Sequence, residues 1–224
     1  MNNISVTQII NNFKKFDREF WLAYKALEAV MDPMLFDECK TLLLKSKRVD
    51  ASILEKVDVK AYNLKKDEID AEWKAENEES KRLGTEIHEL IRLKLASNAD
   101  EAKKEFGITG ELLDTELLIA ESGVFVEKRL ELEIDSFNMI GVPDVIQIED
   151  GVVNLIDWKT AKKGIKFKSH YDMALNQNKK MLYPLSAIDD VNGQHYTLQL
   201  SLYMWMILQI RPDLKPGKLK ISWV

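Results

Sequence analysis

Residues 141–160, GVPDVIQIEDGVVNLIDWKT, constrain the fold of this chain more tightly than any other stretch. Val145, Ile146 and Ile148 run into Glu149-Asp150-Gly151, and Val152, Val153, Leu155 and Ile156 run out. Asp-Gly between two β-branched runs is the strongest short-range signal for a two-residue type I′ hairpin, because both turn residues need positive φ. With Asp150 and Gly151 in the turn, 149 faces 152, 148 faces 153, and further pairs follow in step. Asp144 then faces Asp157 in a non-hydrogen-bonded pair, whose side chains lie about 4.5–5.5 Å apart. Two carboxylates so placed repel each other, and the sheet gains nothing unless a cation sits between them. Lys159 leaves the same face as Asp157 two residues on. Pro143, opposite Trp158, has no N–H to give, which leaves the Trp158 carbonyl as a further oxygen donor. Two acids, a carbonyl and an ammonium make a hard-cation site with a basic group beside it. A slip of one residue in the register would separate them.

At 224 residues the chain can bury a substantial core, and one domain is expected, with a helical N-terminal part (1–79) and a core (80–224). The composition, 46% hydrophobic and 31% charged, is that of a globular protein. No apolar run approaches the roughly 20 residues that span a bilayer, so no membrane partner is expected. No secretory signal opens the sequence. The single Cys39 excludes an internal disulfide and any cysteine-ligated cluster or zinc site made by this chain alone, and a reducing cytoplasm is the expected setting. A net charge of −5 argues against a generally basic nucleic-acid binder and leaves local positive surface open.

Along the chain, residues 4–31 read as helical, with Ser5 or Thr7 capping a first short helix and Asp17 a second. Phe20, Trp21, Tyr24, Leu27 and Val30 form one apolar face of the second, best read as core packing. Residues 34–64 give weaker helical patterns. A long charged helix is expected from Lys65 to Ala96, with Gly84 marking a break or a close approach. Residues 97–122 read as a connector with a short helix near Glu111–Leu118. Gly123–Ile134 alternates as a strand and, with 137–148 and 152–160, predicts an antiparallel meander. Residues 161–194 read as irregular, 195–210 as an apolar helix, and Leu219–Val224 as a terminal strand.

The pattern Gly141-x-Pro143-Asp144, a hairpin, then Ile156-Asp157-Trp158-Lys159-Thr160 resembles the core of the PD-(D/E)XK nuclease superfamily. Within it the chain most resembles the RecB-like and phage exonuclease branch. Gly84-Thr85-Glu86-Ile87-His88 is similar to that branch's helical histidine motif, and Gln199 to Tyr203 to its Q-x-x-x-Y helix motif. Glu127 stands at the start of the strand preceding the hairpin. The resemblance covers residues 80–224, and the N-terminal third resembles phage-encoded members more weakly. Relatives that carry an iron–sulfur centre have a cysteine cluster that this chain lacks.

The resemblance implies an α/β, restriction-endonuclease-like core, a mixed central β-sheet with an antiparallel three-strand meander flanked by α-helices. It also implies divalent-metal-dependent hydrolysis of phosphodiester bonds. An exonuclease acting on duplex or single-stranded DNA in recombination, repair or phage DNA metabolism fits best, in a bacterial or phage-infected cytoplasm. Competing readings are a structure-specific or restriction-like endonuclease and a catalytically silent nucleic-acid-binding or assembly subunit. A single-strand annealing or recombination protein and a second copy of the chain are the protein partners this reading allows.

On the same resemblance, Asp144 and Asp157, with the Trp158 carbonyl, hold Mg²⁺ or Mn²⁺. Lys159 orients or helps deprotonate the attacking water, or offsets transition-state charge. Glu127 is a third carboxylate on the metal or its water shell, with Glu131 and Glu133 as competitors on the same face. His88, beside Ile87 and Ile91, is a metal or phosphate contact or else a packing histidine. Gln199 and Tyr203, one helical turn apart, contact the DNA backbone or strand end and brace the site, or form an ordinary polar edge. Lys162, Lys163, Lys166 and Lys168 neutralise phosphates or line a solvated loop.

Overall fold

Helix starts follow the local chemistry of the chain. Strand β1 (Asn2–Ser5) leads into α1 (Val6–Asn11), α2 (Arg18–Val30), α3 (Pro33–Ser46), α4 (Ala51–Leu54) and the long α5 (Val59–Ser97). Next come α6 (Ala99–Phe106), β2 (Gly123–Val126), β3 (Leu130–Ile134), β4 (Phe137–Gly141), β5 (Val145–Glu149) and β6 (Val152–Lys159). The short β7 (Tyr171–Asp172) and β8 (Gln177–Asn178) precede α7 (Asn192–Ile210) and β9 (Lys215–Trp223). The structure, a computed structural model, describes residues 2–14, 16–117, 120–160, 164–169, 171–172 and 177–223, without the side chains of Tyr171, Asp172 and Gln177. Lys162 and Lys163, two of the candidate phosphate contacts, lie outside the described residues.

Ser5 opens α1 with a capping box: its hydroxyl accepts from the Gln8 N–H at 3.2 Å, and Gln8 Oε1 accepts from the Ser5 N–H at 2.8 Å. Asp17 accepts from the Phe20 N–H at 3.0 Å to start α2, and Asp32 caps α3 just before Pro33. Exposed pairs one turn apart, such as Lys65–Glu68, Arg82–Glu79 and Arg92–Glu89, support the solvated length of α5. That helix continues through Gly84, where a Cβ would make an ordinary 3.7 Å contact with Thr160 Oγ1. No helix among the described residues is long and apolar enough to cross a membrane.

The chain divides into two compact units. One comprises residues 15–82 and 169–180. Its core is built on Phe20, Tyr24 and Leu27 of α2 with Phe36, Leu43 and Ile53, so the aromatic stripe of α2 is packing. The other unit comprises residues 1–14, 83–168 and 181–224 and holds the two larger sheets. The first is mixed, in order β2-β5-β6-β9: β5 is antiparallel to β2 and β6, and β9 runs parallel to β6. Phe125, Ile146, Ile148, Val153 and Leu155 face Leu200, Met206 and Ile207 of α7. Val124, Val145, Ile156 and Trp158 cover Ile91 and Leu95 of α5 and Ala102 of α6. Strand parity thus sends Asp157 and Lys159 to the α7 face and Trp158 to the α5 face.

The mixed sheet and flanking helices match the expected architecture, but the path between strands differs. The expected single strand over 123–134 is cut at Glu127, whose φ of 48° ends β2. β3 then joins a second sheet, in order β1-β4-β3, whose Leu130 and Met139 pack into the α7 core. The expected strand over 137–148 is likewise divided at Val142-Pro143-Asp144, where proline cannot donate to a ladder. So the three antiparallel strands of the main sheet are β2, β5 and β6, with β3 and β4 as a detour. The helix expected near Glu111–Leu118 is absent among the described residues. Leu113 N–H instead donates to the Val124 carbonyl at 2.8 Å, and the helix of this connector lies earlier, at α6, capped by Asn98 and closed by Gly107. Strand β1, parallel to β4, has no counterpart in the sequence reading.

Candidate active site

The hairpin sets the geometry. Asp150 and Gly151 form the turn with φ of 49° and 72°, the signature of type I′, and the register runs Glu149↔Val152 to Val145↔Ile156. One step further puts Asp144 opposite Asp157, as the two-residue turn predicts. Both are buried, 6% and 1% exposed, at the end of the sheet where β5 begins and β6 finishes. Asp144 Oδ2 accepts the Trp158 N–H at 2.6 Å. The Trp158 N–H is thus paired with a side chain, while its carbonyl gets no N–H from Pro143; because N–H and C=O of one strand residue point the same way, that carbonyl faces the same edge.

Burial and the charge of Asp157 raise the Asp144 carboxyl to about 7, against the opposing pull of His88, the Trp158 N–H and Lys159. The Lys159 ammonium stands 2.6 Å from Asp157 Oδ2. Burial pulls its pKa down, but Asp157, with help from Asp144, overrides this and holds it above the ordinary lysine value. The Tyr196 ring of α7 lies 5.0 Å from the same ammonium.

Two further elements meet the carboxylates. Glu127 N–H donates to the Asp144 carbonyl at 2.9 Å, and the left-handed φ at Glu127, which costs of order 1–3 kcal/mol, turns the chain out of β2 at this point. From α5, His88 Nδ1 comes within 3.5 Å of Asp144 Oδ1 and 3.7 Å of Glu127 Oε1, and its ring meets Trp158 edge-on at 6.2 Å. On the α7 face, Gln199 Nε2 donates to Tyr203 Oη at 2.8 Å. Burial raises the Tyr203 pKa, eased by the Gln199 bond and reinforced by Asp157. Tyr203 is 4% exposed, which suits bracing the site better than touching a ligand.

Among the described residues no group of three or more His, Cys, Asp or Glu side chains already forms a metal-ligand set. The donors nevertheless fit a hard dication. Asp157 Oδ2 is buried beside Lys159 without an aligned hydrogen bond, and Asp144 is held near neutrality by a perturbation that a dication would reverse. Asp144, Asp157 and the Trp158 carbonyl could hold such an ion, with Glu127 and His88 adjoining.

With this geometry in place, comparison with protein families gives a match over residues 47–223 to the PD-(D/E)XK nuclease superfamily. The chain belongs to that superfamily. Comparisons with curated proteins and with solved structures give no significant match. Membership implies nuclease activity, a phosphodiester hydrolase with a nucleic acid substrate, and the superfamily generally uses divalent metals.

In this nuclease the structure brings His88, Glu127, Asp144, Asp157, Lys159, Gln199 and Tyr203 to one end of the main sheet, while Glu131 and Glu133 lie on β3 of the other sheet. Lys166 and Lys168 are exposed on the loop after β6. The start of α7 staples that loop: Asn192 Oδ1 accepts from the Lys166 N–H at 2.8 Å, Asn192 Nδ2 donates to the Gly164 carbonyl at 2.9 Å, and Gln194 Nε2 donates to the Phe167 carbonyl at 3.0 Å. The Gly193 N–H donates to the Lys166 carbonyl at 2.9 Å, so close that a Cβ at 193 would lie 2.5 Å from that oxygen. Sequence reasoning missed Tyr196 and this staple. Tyr196 was within reach, three residues before Gln199 on one helix face; the staple has no local signal.

Proposed function

We propose that this nuclease is a Mg²⁺- or Mn²⁺-dependent deoxyribonuclease that degrades DNA from an end. The observation that carries the metal-dependent half is the facing pair Asp144 and Asp157 with Lys159 beside it, a placement that is repulsive without a cation. Asp144, Asp157 and the Trp158 carbonyl would hold the ion, with Glu127 and His88 completing its surroundings. When bound, the ion stabilises negative charge on the scissile phosphate and makes a water molecule more acidic. Lys159, paired with Asp157 and so kept charged, offsets charge on the phosphate rather than removing a proton. Gln199 and Tyr203 hold the α7 side of the site in place. Lys166 and Lys168 take flanking phosphates on a loop fixed by Asn192 and Gln194.

Two motifs support action from an end. The motifs shared with the RecB-like and phage exonuclease branch, Gly84–His88 and Gln199–Tyr203, both border the carboxylates. Recombination, repair or phage DNA metabolism is the role this reading fits. Linear and covalently closed circular DNA of the same sequence distinguish it from an endonuclease. The expected result is loss of the linear form with the circle intact; nicking or linearisation of the circle would give the endonuclease reading its place.

A further inference from the structure

The aromatic side chain closest in register to Lys159 has no role in the scheme above. β9 pairs in parallel with β6, Asp157 with Ile221 and Lys159 with Trp223. Partners in a parallel ladder send their side chains to the same face, and Ile221 is packed against the core under α7, so Trp223 leaves the face that carries Asp157 and Lys159. Trp223 is 64% exposed, on the outermost strand of the sheet. A Cβ on Gly164 would lie 3.9 Å from its Cη2 atom, so the indole borders the loop that carries Lys166 and Lys168. An indole left largely open beside buried carboxylates and exposed lysines is not explained by packing among the described residues, against which most of its surface is uncovered.

We propose that Trp223 is a stacking platform for an unpaired nucleobase next to the phosphate held at Asp144, Asp157 and Lys159. The inference rests on the nuclease reading of that site and deepens it. A duplex hides its base faces, so a stacking contact here selects a single strand or a frayed end. Every base has a π-face, so the contact is indifferent to sequence. Lys166 and Lys168, on the bordering loop, supply the complementary charge for the backbone.

The test reads binding apart from cleavage. Fluorescence anisotropy follows a labelled oligothymidylate of about twelve nucleotides, within the site sizes of single-strand binders, in Ca²⁺, which takes the same oxygen donors. Trp223→Ala should weaken binding about five- to a hundredfold, and Trp223→Phe should retain most of it. An abasic residue is then moved along the strand one position at a time. At one position it should cost the wild type about what Trp223→Ala costs, and cost the Ala variant almost nothing. Equal abasic penalties in both proteins at every position would overturn the stacking, because the indole would then touch no base. A wild type that neither binds the strand nor cleaves DNA in Mg²⁺ or Mn²⁺ would remove the nuclease reading itself, an outcome separate from additive penalties.

Discussion

Replacing Asp144 by Asn should stabilise the metal-free protein, by an amount that grows with pH. Burial and the charge of Asp157 raise the Asp144 carboxyl from its ordinary 3.8 to about 7. The folded state therefore keeps a proton that the unfolded chain has already released. Stability from this group is complete below pH 3.8, falls as pH rises through the interval, and is level above about pH 7. At about 1.4 kcal/mol per pH unit, the wild type loses roughly 3 kcal/mol between pH 5 and pH 7. The asparagine variant cannot ionise and still offers the Trp158 N–H an acceptor, so its stability lacks this fall. Urea unfolding at pH 5 and pH 8 in chelator measures the difference, with amide exchange of β5 and β6 reporting on the sheet unit. Mn²⁺ added at pH 8 should narrow the gap by stabilising the wild type in preference. Parallel pH dependence in the two proteins would mean that Asp144 ionises in the fold at no cost, the opposite of what its burial beside Asp157 requires.

Three further outcomes follow from the same geometry. Below about pH 7 the ion must displace the Asp144 proton, so Mn²⁺ affinity should rise about tenfold per pH unit and then level, as read by calorimetry with proton release; an affinity flat from pH 5 to pH 8 contradicts this. Gly193→Ala drives a Cβ against the Lys166 carbonyl and should cost about 1–3 kcal/mol in thermal or urea unfolding, with weaker DNA binding; unchanged stability would mean that the loop gives way freely. Replacing Lys166 and Lys168 together by Ala should reduce the slope of log affinity against log salt by about 1.5, and an unchanged slope would assign them to solvated surface.

How much of this was legible in the sequence depends on whether a group's partner is close along the chain. The Asp150-Gly151 turn carries its own φ requirement, so the register and the facing of Asp144 and Asp157 followed from local chemistry. The caps at Ser5 and Asp17 were legible for the same reason. The break at Glu127 was not. Alternation in Val124, Val126, Leu130, Leu132 and Ile134 continues across it, and only tertiary pairing separates β2 from β3. The α6 helix lost to the Glu111–Leu118 reading because its evidence is an Asn98 cap and a Gly107 stop around a mostly polar segment. Motif spacing put His88 on a helix, but its approach to Asp144 is set by how α5 covers Trp158, which no local pattern states. Trp223 lay in a strand that was expected, yet its neighbour Lys159 became visible only through the β6–β9 register.

The central claim is that Asp144, Asp157 and Lys159 form one metal-dependent site for phosphodiester hydrolysis. Its most direct test is cleavage of end-labelled DNA by the wild type, Asp157→Ala and Lys159→Ala, each in Mg²⁺, in Mn²⁺ and in chelator. The expected result is cleavage by the wild type with either ion, none in chelator, and a loss of at least about a hundredfold in each variant. Cleavage that survives both substitutions, or that continues in chelator, would contradict it.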